Sequence, residues 1–339
     1  MKVSEVGEFG LIDRLTKLVN SSRDDKSASW KQLIIGIGDD AAAWRTDTSI
    51  HLATVDSFIQ DVHFTREILS WFEIGWKALA TNLSDIAAMG GVPRHALVAL
   101  TCPDTSEVED ITDLYRGMID LAKRLDLVII GGDVDCATTI AITITVLGTA
   151  HNATGPQLIR SSARPGDKIA VTGYLGAASA GLLMLTHGLK FDSRSEACLK
   201  KAFCRPYPRI TEGKLILNHG IKTAIDISDG LISDLRQICK ASQVGASVEI
   251  GKIPILPAVM TNFRDRAIQL ALSGGEDYEL LFTGNAETID KVIETANCPV
   301  TIIGEITASN AEEINLIDKH GAPYHLDKPG WEHFLMDSD

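Results

Sequence analysis

Two successive alternations of β-like runs and amphipathic helical segments constrain the fold of this chain more than any other feature. An amphipathic segment at 8–19 comes first, and a long helical segment at 67–89 ends at Gly90-Gly91. The other elements predicted for the first half are at 32–37, 41–44, 50–55, 95–101, 106–125, 127–130 and 138–147. After a linker at 152–156, the alternation resumes with a strand at 168–172. The pattern predicts an α/β (α+β) chain with two domains, 1–150 and 151–339.

Length and charge narrow the class of protein. With 339 residues, the chain can build two hydrophobic cores. Its net charge of −13 repels phosphate backbones and anionic lipid, so we expect neither nucleic acid nor a membrane as partner. The most apolar stretch, 175–189, is interrupted by polar residues and is too short to span a bilayer. The N-terminus lacks the apolar run of a signal peptide, and the cysteines lack zinc-ligand spacing, so a cytoplasmic protein with reduced thiols is expected.

Aspartates beside apolar segments are the main chemical signal of the sequence. They occur in Gly38-Asp39-Asp40-Ala41, Thr54-Val55-Asp56-Ser57, Asn82-Leu83-Ser84-Asp85, Gly131-Gly132-Asp133 and Asp226-Ile227-Ser228-Asp229-Gly230. Neither a P-loop nor the glycine-rich loop of protein kinases is present. Any phosphoryl-transfer chemistry in this chain would therefore rely on scattered aspartates rather than on a glycine-rich phosphate loop.

The long helical segment carries a polar stripe within an otherwise apolar pattern. The members of the stripe, spaced i, i+4, i+5 and i+8, are Lys77, Thr81, Asn82 and Asp85. Apolar residues such as Leu79, Leu83 and Ile86 form the other side of the same helix. A polar stripe on a helix rich in alanine and leucine indicates polar chemistry inside the fold.

Each aspartate motif also has a purely structural interpretation. Asp39 or Asp40 could cap a turn, Asp133 could stabilise a glycine turn, and Asp229 could be the N-cap of a helix. If the motifs converge instead, two carboxylates about 4 Å apart repel by about 4 kcal/mol at an effective dielectric constant of about 20. A few such pairs would consume the stability of a typical domain, about 5–15 kcal/mol. Convergence therefore requires protons or cations, and oxygen ligands without His or Cys favour Mg²⁺.

The order of the motifs resembles one known family. The chain is similar to the thiamine-monophosphate kinases, members of the aminoimidazole-ribotide-synthetase-like superfamily, from residue 7 to residue 334. The matching blocks are Gly36 to Ala41, Asp56 with Val62-His63-Phe64, Lys77 to Asp85 with Ala87 to Gly90, Gly131-Gly132-Asp133, Arg160 with Ala163 to Asp167, Asp226 to Leu231, and Ser273 to Leu280. The sequence departs from the family pattern at Gln60-Asp61, at Val134-Asp135 and at Ser162.

The resemblance implies a two-domain aminoimidazole-ribotide-synthetase-like fold, whose N-terminal domain has a mixed sheet and forms a homodimer through it. It implies transfer of a phosphoryl group from ATP to thiamine monophosphate, with nucleotide and substrate in the groove between domains and subunits. By motif position, the Mg²⁺ ligands would be Asp40, Thr54, Asp56, Asp85, Asp133, Asp226 and Asp229. The ATP contacts would be Tyr115, Gly132, Asp133, Arg160 and Ser228. The catalytic residues would be Asp85, Asp133 and Arg160, and the thiamine contacts would be His63, Glu276 and Trp331.

The chemistry of such a reaction agrees with the residue types. A phosphate monoester has its second pKa near 6, so the acceptor is largely ionised at pH 7 and needs no general base. The difficulty is to bring two anions into line, which Mg²⁺ and an arginine fork address. Arg160 could provide that fork, although its simpler interpretation is a surface ion pair.

Other functions stay open at the sequence level. A sibling enzyme of the same superfamily, such as aminoimidazole-ribotide synthetase, would use ATP on another substrate. A two-metal phosphohydrolase would release phosphate without an acceptor. A non-catalytic module could bind divalent ions only to stabilise a scaffold.

Overall fold

The computed structural model describes residues 12, 16–17, 31–46, 48–152, 155–326 and 330. Of the first predicted helix, at 8–19, only Ile12, Thr16 and Lys17 are among these residues, and all three are helical. Trp331 lies outside the described residues.

The first half of the chain forms a mixed six-stranded sheet. Its strands are β1 (Leu33–Ile35), β2 (Ala42–Arg45), β3 (Ile50–Ile59), β4 (Gly91–Cys102), β5 (Val128–Cys136) and β6 (Ala141–Ala150). They are ordered β1-β2-β3-β6-β4-β5, and only the β4–β5 pair is parallel. The mixed N-terminal sheet expected from the family resemblance is therefore present.

Two helices that lie wholly within the described residues accompany this sheet, α1 (Trp71–Ala88) and α2 (Val108–Arg124). The start of α1 is fixed by a capping box, in which Ser70 and Glu73 each accept a hydrogen bond from the other's backbone N–H. Nearly all residues of α1 are buried, including Lys77, Asn82 and Ser84. A helix that is buried all round must have neighbours on every side.

The second half forms another six-stranded sheet with helices around it. The strands are β7 (Lys168–Thr172), β8 (Thr223–Asp226), β9 (Gly245–Glu249), β10 (Leu280–Gly284), β11 (Val300–Thr307) and β12 (Ile314–Ile317), ordered β12-β9-β11-β7-β10-β8. The helices are α3 (Ala177–Thr186), α4 (Ser193–Cys204), α5 (Ile210–Asn218), α6 (Leu231–Ser242), α7 (Pro257–Phe263), α8 (Ala267–Ser273) and α9 (Ala286–Thr295). None of the helices in the described ranges is both long and apolar enough to cross a membrane.

The two halves share one hydrophobic core. Leu79 and Ile86 of α1 belong to the same buried cluster as Phe203, Ile216 and Phe282 of the second half. Contacts of α1 with β3, β4 and β6 on one side and with α4, α5 and β8 on the other place this helix between the two sheets. Side chains of α1 can therefore meet residues of both halves.

Two of the aspartate motifs lie within strands, where the sequence predicted strand ends or turns. Pairing of β3 with β6 continues to Ile59, so Asp56 is part of the strand. Pairing of β5 with β4 continues to Cys136, so Gly131-Gly132-Asp133 is extended and does not form a turn. The neighbouring strand extends each element beyond the limit that its own residues suggest.

Close contact between α1 and α2 depends on Gly117, where a Cβ atom would collide with the Phe72 carbonyl oxygen. We expect Gly117→Ala to lower the free energy of unfolding by about 2 kcal/mol or more, because the steric conflict outweighs the gain in helix propensity. Urea unfolding measures the change. Gly251→Ala is the control, since a Cβ there has no heavy atom within 4 Å. Equal stability of the two variants would contradict the close helix contact.

Candidate active site

The junction of β3 and α1 carries the first group of site residues. The Thr54 hydroxyl donates a hydrogen bond to Asp85 Oδ2 at 2.5 Å. The backbone N–H of Asp56 donates to Asn82 Oδ1 at 3.0 Å. Successive side chains of β3 point to opposite faces of the sheet, so Thr54 and Asp56 lie on the same face. This is the face that α1 covers. The polar stripe of α1 is thus bound to the strand that carries two predicted metal ligands.

Three carboxylates from distant parts of the chain meet at this junction. Oxygen atoms of Asp40, Asp85 and Asp226 lie within 4.8 Å of one another. They come from the turn before β2, from α1 and from the last residue of β8, so both halves contribute. Two unit charges at that separation repel by about 3.5 kcal/mol at an effective dielectric constant of about 20. We call Asp40, Asp85 and Asp226 the aspartate cluster.

Arg160 neutralises one member of the aspartate cluster. Its Nε and one terminal nitrogen donate to the two oxygens of Asp40 at 3.1 and 2.8 Å, which is a bidentate ion pair. Its backbone N–H also donates to Asp39 Oδ2 at 3.1 Å. Burial and then the charge of Asp40 raise the pKa of Asp39 to about 7, although Arg160 acts in the opposite direction. Arg160 is therefore a residue of the site and not part of a surface ion pair.

The other two members of the cluster are held in an environment that disfavours their charge. Burial, followed by the charges of Asp56, Asp226 and Asp40, raises the pKa of Asp85 well above its ordinary value. Burial and Asp40 raise the pKa of Asp226 in the same way. A set of oxygen ligands with excess negative charge fits a hard divalent cation such as Mg²⁺.

The segment that joins β8 to α6 is fixed by an aspartate inside the helix. Asp234 Oδ2 accepts hydrogen bonds from the backbone N–H groups of Ser228, Asp229 and Gly230 at 3.1, 3.2 and 3.1 Å. Gly230 occupies the N-cap position with φ 123°, so Asp229 is not the cap that its motif also allowed. Asp226, Ser228 and Asp229 thereby stay on one rigid turn beside the aspartate cluster. Sequence reasoning missed Asp234, because an N-cap search examines the residues before a helix.

Glu276 lies on the loop between α8 and β10, and it contacts α1. Its Oε1 is 2.8 Å from the Nζ of Lys77. His63 lies in the turn after β3, where its Nδ1 accepts the N–H of Ile59 at 3.0 Å and its ring stacks on Phe58. The third predicted thiamine contact, Trp331, lies outside the described residues, but Gly330 before it packs against Asp229.

The predicted nucleotide residues fall into two separate groups. Arg160 and Ser228 are at the aspartate cluster, whereas Gly132 and Asp133 are on β5 and Tyr115 is on α2. Three strand spacings, about 14 Å, separate β5 from β3 in the strand order. Asp133 is in register with Ala99, Thr143 and Ser57, which lie on the sheet face opposite to Asp56. Within one chain, Asp133 therefore does not join the aspartate cluster.

Comparison with known proteins identifies the family. Residues 38–150 match the family described as AIR synthase related protein, N-terminal domain, and residues 164–317 match its C-terminal domain. The thiamine-monophosphate kinase of Escherichia coli strain K12 is 38% identical over 336 residues, which cover 97% of this chain and 98% of that protein. The thiamine-monophosphate kinase of Bacillus subtilis strain 168 is 34% identical over 340 residues, covering 96% and 99%.

The chain belongs to the thiamine-monophosphate kinase family. It is thus an enzyme of a kinase family, as the motif order indicated. A structure of AaThiL complexed with AMPPCP and TMP superposes with a TM-score of 0.83 at 30% identity, covering 98% of this chain and 99% of that one. The hydrogenase maturation protein HypE superposes with a TM-score of 0.69 at 18% identity, which shows a common fold. The two-domain fold predicted from the motifs is confirmed.

Replacement of Asp85 by asparagine tests the electrostatics of the aspartate cluster in the metal-free protein. Because the folded state raises the pKa of Asp85 above its unfolded value near 3.9, this carboxylate destabilises the fold increasingly as pH rises above about 4. We expect Asp85→Asn to be more stable than the parent by about 1–3 kcal/mol at pH 8, with the difference shrinking towards pH 4. Thermal unfolding across this pH range measures the effect.

The same experiment with Mg²⁺ tests the metal site. The parent should gain stability from Mg²⁺ at pH 8, and Asp85→Asn should gain much less because one ligand is lost. Asp290→Asn, at an exposed position of α9, is the matched control and should behave like the parent. A variant that is destabilised at every pH and responds normally to Mg²⁺ would argue against a repulsive, metal-binding cluster.

Proposed function

We propose that this protein transfers the γ-phosphoryl group of ATP directly to thiamine monophosphate, giving thiamine diphosphate and ADP. The observation that carries the proposal is the aspartate cluster with its bound Arg160, placed where the two halves meet. Membership of the thiamine-monophosphate kinase family supports it, as does the relative complexed with AMPPCP and TMP.

The residues present fit a Mg²⁺ site. The aspartate cluster offers three oxygen ligands, and Thr54, Asp56 and Asp229 would add further oxygens around it. When bound, Mg²⁺ would neutralise phosphate charge and orient the phosphoryl oxygens for in-line transfer. Its ligands are positioned before binding, because Thr54 holds Asp85 and Asp234 holds the Asp226–Asp229 turn.

Arg160 and Ser228 would serve the nucleotide. The guanidinium of Arg160 is a planar fork that matches two phosphate oxygens as well as it matches Asp40. Its side chain is 21% exposed, so a phosphate can approach it. Ser228 lies on the turn held by Asp234, which would place its hydroxyl next to the same phosphates. The acceptor phosphate is already ionised, so no side chain has to remove a proton.

A second copy of the chain would complete the site in a homodimer. One face of the N-terminal sheet leaves Val55, Leu97 and Val128 exposed, and β5 is an edge strand that is exposed along most of its length. A large exposed apolar sheet face is typical of a subunit interface. Asp133 lies on this face and apart from its own aspartate cluster, so in such a dimer Asp133 would serve the partner's site.

The cysteines and the proposed substrates both bear on the cellular compartment of the protein. All six cysteines are free thiols, which fits a reducing compartment. We propose the cytoplasm, where Mg²⁺ and ATP are available, as the location.

Incubation of the protein with Mg²⁺, ATP and thiamine monophosphate tests the reaction. We expect thiamine diphosphate and ADP in equal amounts, because direct transfer consumes one ATP for each product. Chromatographic quantification of both products measures the ratio. Phosphate release without thiamine diphosphate would indicate a phosphohydrolase, and Mg²⁺-dependent stabilisation without nucleotide binding would indicate a scaffold.

Mixed dimers test whether Asp133 acts across the subunit interface. Asp85→Asn and Asp133→Asn should each be inactive alone. A dimer with one copy of each variant keeps one intact site if Asp133 comes from the partner, so random mixing should restore about a quarter of the parent activity. Coexpression with two affinity tags allows purification of the mixed dimer. No recovery in the purified mixed dimer would place Asp133 in the same subunit's site.

A further inference from the structure

The buried lysine of α1 has no part in the function proposed above. Lys77 is 0% exposed, although a lysine ammonium is strongly hydrated when it is free in water. Its Nζ lies 2.8 Å from Glu276 Oε1 and 3.6 Å from the ring centroid of Phe203 on α4. A buried cation needs such partners to offset the loss of hydration, so the position of Lys77 and that of the Glu276 carboxylate depend on each other.

The loop that carries Glu276, residues 274–279, is held tightly by its backbone. The N–H of Glu276 donates to the Ser228 carbonyl oxygen at 2.7 Å, and the N–H of Tyr278 donates to the Ile227 carbonyl oxygen at 2.9 Å. Glu276 and Tyr278 have φ values of 60° and 49°, the left-handed region that non-glycine residues seldom adopt. Such conformations persist at functional sites where the surroundings over-determine them.

Two further carboxylates of the loop bind structural partners. Asp277 accepts the N–H groups of Gly176 and Ala178 at 2.8 and 3.2 Å, at the start of α3. Glu279 forms a bidentate ion pair with Arg209. These contacts fix the loop to the second half of the chain. The Glu276 carboxylate is bound instead to α1, which also carries Asp85.

Helix α1 sets the distance between Glu276 and the aspartate cluster. Lys77 and Asp85 are eight residues apart on one helix, which corresponds to about 12 Å along its axis. Buried Tyr278 belongs to the same loop as Glu276, and burial, followed by the charges of Glu276, Asp56, Asp226 and Asp229, raises the pKa of its hydroxyl. An extended molecule with a phosphate at one end and a ring system at the other can span this distance.

We propose that Lys77 is a positioning residue, which holds the Glu276 carboxylate at the ring end of the acceptor site, at a set distance from the aspartate cluster. The inference rests on the proposed function and on the thiamine contact that the family resemblance implies for Glu276. The Glu276 side chain is 28% exposed and Lys77 is 0% exposed, so a ligand reaches the carboxylate and not the ammonium. A carboxylate has two oxygens, so one can stay with Lys77 while the other binds a cationic or N–H-donating heterocycle.

Lys77→Met tests this role, since methionine keeps an unbranched side chain and removes the charge. We expect KM for thiamine monophosphate, and its Kd measured by calorimetry without ATP, to rise about tenfold or more, because a charge-assisted contact that aligns Glu276 is lost. KM for ATP should change less than about twofold, because the aspartate cluster keeps its own contacts. An unchanged affinity for thiamine monophosphate, or an equal rise in both KM values, would overturn the proposal.

A second variant removes the other partner of the ammonium. Phe203→Leu leaves Lys77 in place but removes the ring under its charge. It should raise KM and Kd for thiamine monophosphate by a smaller factor than Lys77→Met does. If Lys77→Met does not fold, Phe203→Leu provides the test of the positioning role. Normal affinity for thiamine monophosphate in Phe203→Leu would then count against the proposal.

Arg205→Met is the matched control. Arg205, directly after α4, lies 3.8 Å from Glu73 Oε1 and 4.8 Å from the Phe72 ring. Like Lys77, it therefore contacts a carboxylate and an aromatic ring, and both partners lie on α1 about one turn before Lys77. This variant should keep both KM values. If it shifts the affinity for thiamine monophosphate as Lys77→Met does, general disturbance of α1 explains the effect and the proposal fails.

A double-mutant cycle shows whether Lys77 acts through Glu276. In a Glu276→Gln background, Lys77→Met should add little further loss of affinity for thiamine monophosphate. Full additivity would show that Lys77 acts by another route. A parent protein that makes no thiamine diphosphate contradicts the proposed function itself, whereas an active parent with an unaffected Lys77→Met variant contradicts the positioning role alone.

Discussion

Repulsion among buried carboxylates is the interaction on which the rest of this structure depends. Asp40, Asp85 and Asp226 come from a turn, a helix and a strand end, and the hydrophobic core shared by the two halves brings them together. Arg160 balances one of the charges. The remaining charge must be met by protons or by a cation, so a cation that binds the aspartate cluster would also stabilise the fold. A pocket that is unfavourable when empty is well suited to gather Mg²⁺ and phosphate.

Helix α1 connects the core to the chemistry. Its capping box sets where it begins, and Gly117 of α2 lets the two helices approach closely. Because α1 is packed between both sheets, Asn82 and Asp85 meet β3 while Lys77 meets the loop of Glu276. Side chains on a rigid buried helix keep their spacing better than side chains on loops. The two ends of the proposed acceptor site are therefore positioned by one element.

The two faces of the N-terminal sheet have different roles. Thr54 and Asp56 face α1 and the aspartate cluster, whereas Asp133 lies on the opposite, exposed face. This division supports the proposed dimeric site, since Asp133 is directed away from the aspartate cluster of its own chain.

The sequence by itself determined the family, the two α/β halves and the buried polar stripe of α1, because motif order and helical periodicity are local properties of the chain. It also predicted the aspartates of the proposed metal site, of which the tertiary structure brings Asp40, Asp85 and Asp226 together. It did not determine where the strands end. Pairing with β6 extends β3 past Asp56, and pairing with β4 extends β5 past Asp133. Nor did it reveal Asp234, whose backbone partners precede its helix. Only the tertiary structure decided which face Asp133 occupies. The register of β5 against β4 shifts by one residue opposite Ala96 and Leu97, and such a shift turns every following side chain to the other face.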